Sequence, residues 1–200
     1  AMKTRKLNLK KGLLIVDVQN DFCPRGTLAV PGGDAIIPTL NKYIKIFSQK
    51  NLPIFASRDW HPATSKHFKD FGGLWPKHCI QNTKGAQFHP KLKLPKHIIV
   101  LSKGMDPERE SYSTFEGIDH SGLPFINLLK IFGIQELHVG GLATDYCVKA
   151  SVIDALKQGF LVWLLIDAIK GVDIKAGDSE RAIKEMSDGG AKQITLQRFR

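Results

Sequence analysis

The sequence predicts an α/β domain with a mostly parallel sheet flanked by helices. Two observations carry this expectation. Near-continuous apolar runs alternate along the chain with segments whose apolar residues recur at helical spacing. Those runs also lack the in–out alternation of a sheet that is wet on one face, so the strands are expected to be covered on both sides. There is no internal repeat, low-complexity tract or linker, and residues 1–200 are expected to form a single domain, with 1–10 as a basic extension.

Gly12 to Val18 is the first strand, apolar almost throughout. Asp34 to Lys50 repeats through Ile36, Ile37, Leu40, Tyr43, Ile44 and Phe47 as a helix, with Pro38 in the first turns, where proline disrupts least. Pro53 to Ser57 and His97 to Ser102 are strand-like, and Leu123 to Phe132 is a short apolar helix after Gly122. Glu136 to Gly141 is a strand. Asp145 to Gln158 is a helix through Val148, Val152, Ala155 and Leu156, with Thr144 as its N-cap. Phe160 to Ile166 is a buried strand, Gly177 to Ser187 a helix and Gln193 to Leu196 the last strand. Two longer segments, Asp21 to Gly33 and Arg58 to Lys96, are rich in Gly, Pro, His and aromatics, the composition of loops that carry function.

Composition narrows the function classes. The three cysteines, Cys23, Cys79 and Cys147, are scattered without C-x-x-C spacing, which argues for a reducing compartment and against a disulfide framework. No apolar run reaches membrane-spanning length. The basic start (Lys3, Arg5, Lys6, Lys10, Lys11) has no signal-type apolar region after it, and a cytoplasmic location is expected. A net charge of +10 is spread along the chain without an Arg-rich stripe, which is a solvated surface rather than a nucleic-acid or membrane contact. The expected partner is a small-molecule substrate, and association into a homo-oligomer stays open.

In an open parallel sheet, ligands bind beyond the carboxyl ends of the strands. Asp17, Asp59, Lys103 and Cys147 fall at four successive strand ends. Cys147 lies in the first turn of its predicted helix, beside unpaired N–H groups at the positive end of the helix dipole, which favours thiolate and offers donors to an oxyanion. Taken alone it is equally a small buried hydrophobe. The shared placement with Asp17 as proton acceptor and Lys103 as positive neighbour points to nucleophilic acyl transfer. There is no Gly-x-Ser-x-Gly elbow and no phosphate-binding glycine loop. Asp59 and His61 project to one side of an extended segment, and His78 supplies a third donor for a divalent ion such as zinc, iron or manganese. His67, His89, His97, His120 and His138 find no partner in this reading, and Cys23 and Cys79 are assigned to the core.

In this order, the stretches Leu14–Phe22, Gly26–Gly32, Arg58–Pro62, Lys103–Gly104 with Glu110–Phe115, and Gly141–Val148 resemble the nicotinamidases (pyrazinamidases) of the isochorismatase-like cysteine hydrolase superfamily, from Leu14 to Leu196. The resemblance implies a three-layer sandwich with a six-stranded parallel sheet. It implies hydrolysis of nicotinamide to nicotinate and ammonia, with pyrazinamide often accepted. By position Cys147 is the nucleophile, Asp17 the general base and Lys103 the third catalytic residue. Asp59, His61 and His78 hold a metal ion, zinc first, which contacts the pyridine nitrogen. Phe22, Trp75 and Tyr112 line the ring pocket. Leu142–Ala143 is a cis peptide, and the N–H groups of Ala143 and Cys147 form the oxyanion hole. After Pro62 the family often has His-x-Ser-Phe, where this chain has Ser65-Lys66-His67-Phe68; a local change in the support of the metal loop is expected. Asp70 stands where some relatives place an acidic ligand, and it is not expected to bind. Glu110 stands where Asp is common and receives no role. The alternative within the fold is a cysteine amidase for another small amide or ureido compound.

Overall fold

The computed structural model describes residues 8–199; Lys3, Arg5 and Lys6 of the expected basic extension lie outside the described residues. Six strands, Lys11–Val16 (β1), Ile54–Asp59 (β2), Ile99–Lys103 (β3), Glu136–Leu142 (β4), Leu161–Lys170 (β5) and Lys192–Ile194 (β6), form one sheet. Their order is β3-β2-β1-β4-β5-β6, and every pairing is parallel. The central strands read as unbroken apolar runs because both faces are covered.

One face packs on Ile37–Gln49 (α1) through Leu40, Tyr43, Ile44 and Phe47. The other packs on Phe125–Ile131 (α2), Lys149–Lys157 (α3) and Asp178–Asp188 (α4) through Leu129, Val152 and Met186. Layers of helix, sheet and helix bury two separate apolar cores, as both-faced strands require. No helix among the described residues is long and apolar enough to cross a membrane.

Two ends differ from the sequence reading. β5 runs on past Ile166 through Asp167 to Lys170, and a register shift on β4 between Val139 and Gly141 accommodates the extra length. Asp167 is compatible with the strand because its carboxylate accepts from Tyr43 Oη at 2.9 Å and from the Leu196 N–H at 2.8 Å. The last strand stops at Ile194, and Leu196–Phe199 (α5) turns back so that Phe199 stacks on Phe47 at 5.3 Å.

Beneath Phe199 lies His138, 2% exposed, between Phe47 and Trp163, with no hydrogen-bond partner for Nδ1. Burial first, and then the charge of Lys11, push its pKa down from 6.5 to about 3. The unfolded chain therefore takes up this proton first, and the stability present above pH 6.5 is lost as pH falls toward 3. His138→Leu is expected to flatten the acid side of the stability profile, read as urea midpoints at pH 7 and pH 4.5. Parallel profiles for the two proteins would show that His138 contributes nothing to it.

Candidate active site

β1 and β4 are neighbours from which the chain proceeds in opposite directions across the sheet, so a crevice opens between their carboxyl ends. Asp17 follows β1 with φ +49°, a left-handed turn that aims its side chain back toward the sheet end. Asp59 and Lys103 are the last residues of β2 and β3. Cys147 follows β4 after the cis peptide Leu142–Ala143.

These four residues meet. Lys103 Nζ donates to Asp17 Oδ2 at 2.8 Å, to Asp59 Oδ1 at 2.5 Å and to Cys147 Sγ at 3.4 Å. Ser57 Oγ donates to the other Asp17 oxygen at 2.8 Å. None of the four is more than 7% exposed. Burial alone would neutralise Lys103, but Asp17 and Asp59 outweigh it and hold the ammonium well above the usual lysine range. Burial also acts on Asp59, where Lys103 and the neighbouring imidazoles of His61 and His78 prevail and hold the carboxyl well below its usual range. For Asp17 burial wins over Lys103, and its pKa is raised.

Cys147 departs from the sequence reading in two ways. Residues Thr144–Val148 form a π-helical turn ahead of α3, capped by Ala143, whose carbonyl accepts from the Tyr146 and Val148 N–H groups at 3.1 Å. Thr144 makes no side-chain cap. The thiol is also pushed well above its usual range, by burial before anything else and by Asp17 and Asp59, against the opposing effect of Lys103. Desolvation and two carboxylates thus outweigh the expected preference for thiolate. The resting group is a thiol, and its proton must leave when substrate is present.

A second cluster adjoins the first. His61 Nδ1 lies 2.9 Å from the Gly104 carbonyl and His78 Nδ1 2.7 Å from the Pro76 carbonyl. A carbonyl only accepts, so both rings carry hydrogen on Nδ1 and present bare Nε2 atoms. Those atoms face Asp59 Oδ2 at 3.5 and 3.8 Å, and His61 Nε2 has no hydrogen-bond partner. Three buried acceptors turned toward one another fit a divalent cation. Gly104, with φ +70°, makes room for this, since a Cβ there would lie 2.5 Å from His61 Cε1.

His67 joins this cluster and corrects the sequence reading, which left it without a partner. It is 3% exposed, its ring stacks on that of His61 at 4.9 Å, and it forms a metal-competent group with His61 and His78. The bridge between Phe68 and Trp75 folds the loop so that His67 turns inward. Asp70 stays outside, exposed and paired with Lys77 at 3.2 Å. Gln19, also missed, is fully buried and grips Asp59 twice. It accepts from the Asp59 N–H at 2.9 Å and donates to the Asp59 carbonyl at 2.8 Å, fixing the one carboxylate that both clusters share. Its only signal was a glutamine placed next to an apolar strand end.

A cleft joins the two clusters, lined by Asp17, Cys147, Asp59, His67 and His78. Phe22, Trp75 and Tyr112 also line it, joined by Tyr146 and Val172. Trp75 Nε1 donates to Tyr112 Oη at 3.0 Å, and the Trp75 ring meets Tyr146 edge-on at 5.1 Å. Cys23 and Cys79 are buried in the core, where burial keeps both thiols protonated.

The chain has relatives among known proteins. The chain is 41% identical to a nicotinamidase of Escherichia coli (strain K12) over 204 residues, covering 93% of this chain and 95% of that one. It superposes on the pyrazinamidase of Pyrococcus horikoshii in complex with zinc with a TM-score of 0.86 and 44% identity, over 94% and 99% of the two chains. An L. infantum protein crystallised with nicotinate is 34% identical with a TM-score of 0.82, over 94% of this chain and 93% of that one. The family model described as the isochorismatase domain matches residues 11–198, and with the whole sheet and both clusters inside that match, the chain belongs to the isochorismatase domain family.

Proposed function

We propose that this chain is a nicotinamidase, an amidohydrolase that converts nicotinamide to nicotinate and ammonia and also accepts pyrazinamide. The observation that carries the reading is the contact of Lys103 with Asp17 and Cys147 beside a cleft that His67 and His78 also line. Similarity to proteins named for this activity supports the choice of substrate.

Cys147 is the nucleophile. Its proton passes to Asp17, whose raised pKa makes it a stronger base than an ordinary carboxylate. The thiolate attacks the carboxamide carbon, and the N–H groups of Ala143 and Cys147 receive the oxyanion. Protonated Asp17 returns the proton to the amide nitrogen, the C–N bond breaks and ammonia leaves a thioester on Cys147. Asp17 then deprotonates a water that attacks the thioester, and nicotinate is released as the thiol reforms. Lys103 stays charged throughout and holds Asp17 and the sulfur together. Phe22, Trp75 and Tyr112 sandwich the ring. Asp59, His61, His67 and His78 would hold a divalent ion, zinc first and iron or manganese as alternatives, supplying a Lewis acid for the ring nitrogen.

Ammonia release from nicotinamide by purified protein, with and without chelator, tests this reading. Active enzyme is expected, and stripping the metal should raise KM at least about tenfold, the lower end of what weakened metal contacts cost. No release from nicotinamide, with release from another amide or ureido compound, would replace the substrate and keep the cysteine chemistry. An unchanged KM in metal-free enzyme would remove the ring-nitrogen contact.

A further inference from the structure

Asp145 takes no part in this chemistry, yet it is a carboxylate only 7% exposed and two residues from the nucleophile. Its Oδ1 accepts from the Val172 N–H at 2.9 Å and its Oδ2 from the Asp173 N–H at 2.8 Å. Charge-assisted bonds of this kind are about twice as strong as neutral ones, and two on one carboxylate also fix direction. Val172 lines the cleft together with Cys147. The side chain of Asp145 therefore joins the turn that carries the sulfur to a wall of the substrate space.

The wall is clamped from its other side as well. Asp173 sits at φ +53°, and its carboxylate accepts from the Ser179 N–H at 2.7 Å and Oγ–H at 2.8 Å, at the start of α4. Gly171 passes so close that a Cβ there would overlap Ser179 Oγ and lie 3.3 Å from Asp145 Oδ1.

We infer that Asp145 is a positioning residue that sets the gap between Cys147 and the Val172 wall, and thereby the width open to a planar six-membered ring bearing the carboxamide. The inference rests on the nicotinamidase reading for its probes. Asp145→Asn keeps one acceptor and turns an NH₂ toward the other backbone N–H. It is expected to raise KM for nicotinamide and Kd for nicotinate about tenfold while kcat falls less, the scale of one charge-assisted bond. Alkylation of Cys147 by iodoacetamide, which has no ring, should stay within about twofold of wild type. Val172→Ala, which leaves Asp145 intact, should reproduce the loss in affinity, and the double variant should show little added loss.

An unchanged nicotinate Kd in Asp145→Asn or Val172→Ala would overturn the inference. So would fully additive losses, or an iodoacetamide rate that falls in step with kcat, since Asp145 would then act on the nucleophile's own turn. Wild-type protein that neither releases ammonia from nicotinamide nor binds nicotinate would sink the substrate reading and the wall assignment together. Active wild type with intact binding in Asp145→Asn sinks the wall assignment alone.

Discussion

Cys147→Ala is expected to reduce ammonia release from nicotinamide by about four orders of magnitude or more, the usual cost of deleting a covalent nucleophile. Binding should survive. Cys147 is one of many residues lining the cleft, and Phe22, Trp75, Tyr112, His67 and His78 stay in place. Nicotinate affinity, measured by calorimetry, is expected within a few-fold of wild type, because truncating one thiol removes little contact area. Turnover within about tenfold of wild type would mean that water attacks the amide directly, with the covalent route bypassed. A collapse of nicotinate binding in the same variant would place Cys147 in the recognition of the ring instead.

Lys103→Met is expected to cost both activity and about 3–5 kcal/mol of stability, the scale for removing one partner of a buried ion pair. Lys103 is 1% exposed and serves two carboxylates that are no more exposed than 3%. The substitution leaves Asp17 and Asp59 buried without their counterion. The pH dependence has a definite sign. Asp59 is held below its usual pKa, so in the wild type its stabilisation is present above the carboxylate range and is lost as pH falls through it. In the variant, burial raises the pKa of the orphaned carboxylates, and their protonation relieves the penalty as pH falls toward the usual carboxylate range from above. The gap between the two proteins should therefore narrow on acidification, seen in urea unfolding of chelated samples at pH 7 and pH 4. A gap that is constant with pH would mean lost packing rather than lost charge.

Much of this site is legible in the sequence because β-strand ends are. Apolar runs at Leu14, Phe55, Leu101 and Val139 mark parallel strands, and the reactive residue types that follow their carboxyl ends emerge on the ligand-binding side. That reasoning reaches Asp17, Asp59, Lys103 and Cys147 without any contact being known. His67 is harder, since its loop has no period, and its inward turn depends on the pairing of Phe68 with Trp75. The protonation of Cys147 is harder still. A helix start is a local feature that favours thiolate, whereas desolvation and the nearness of Asp17 and Asp59 exist only once four strands have assembled. β5 runs past its expected end for a related reason: Asp167 is polar, and its partners, Tyr43 and the Leu196 N–H, come from distant parts of the chain.

The divergence of the chain between β1 and β4 divides labour within the molecule. On the nicotinamidase reading, bond breaking falls to residues at or just beyond strand ends, held by the register of the sheet, and ring recognition to loop residues, with Phe22 after β1, Trp75 between β2 and β3, Tyr112 after β3 and Val172 after β5. A change in these loops can therefore alter which amide is admitted while Asp17, Lys103 and Cys147 keep their spacing. New substrates for this scaffold are to be sought by varying Phe22, Trp75, Tyr112 and Val172, with the sheet and the histidine cluster left untouched.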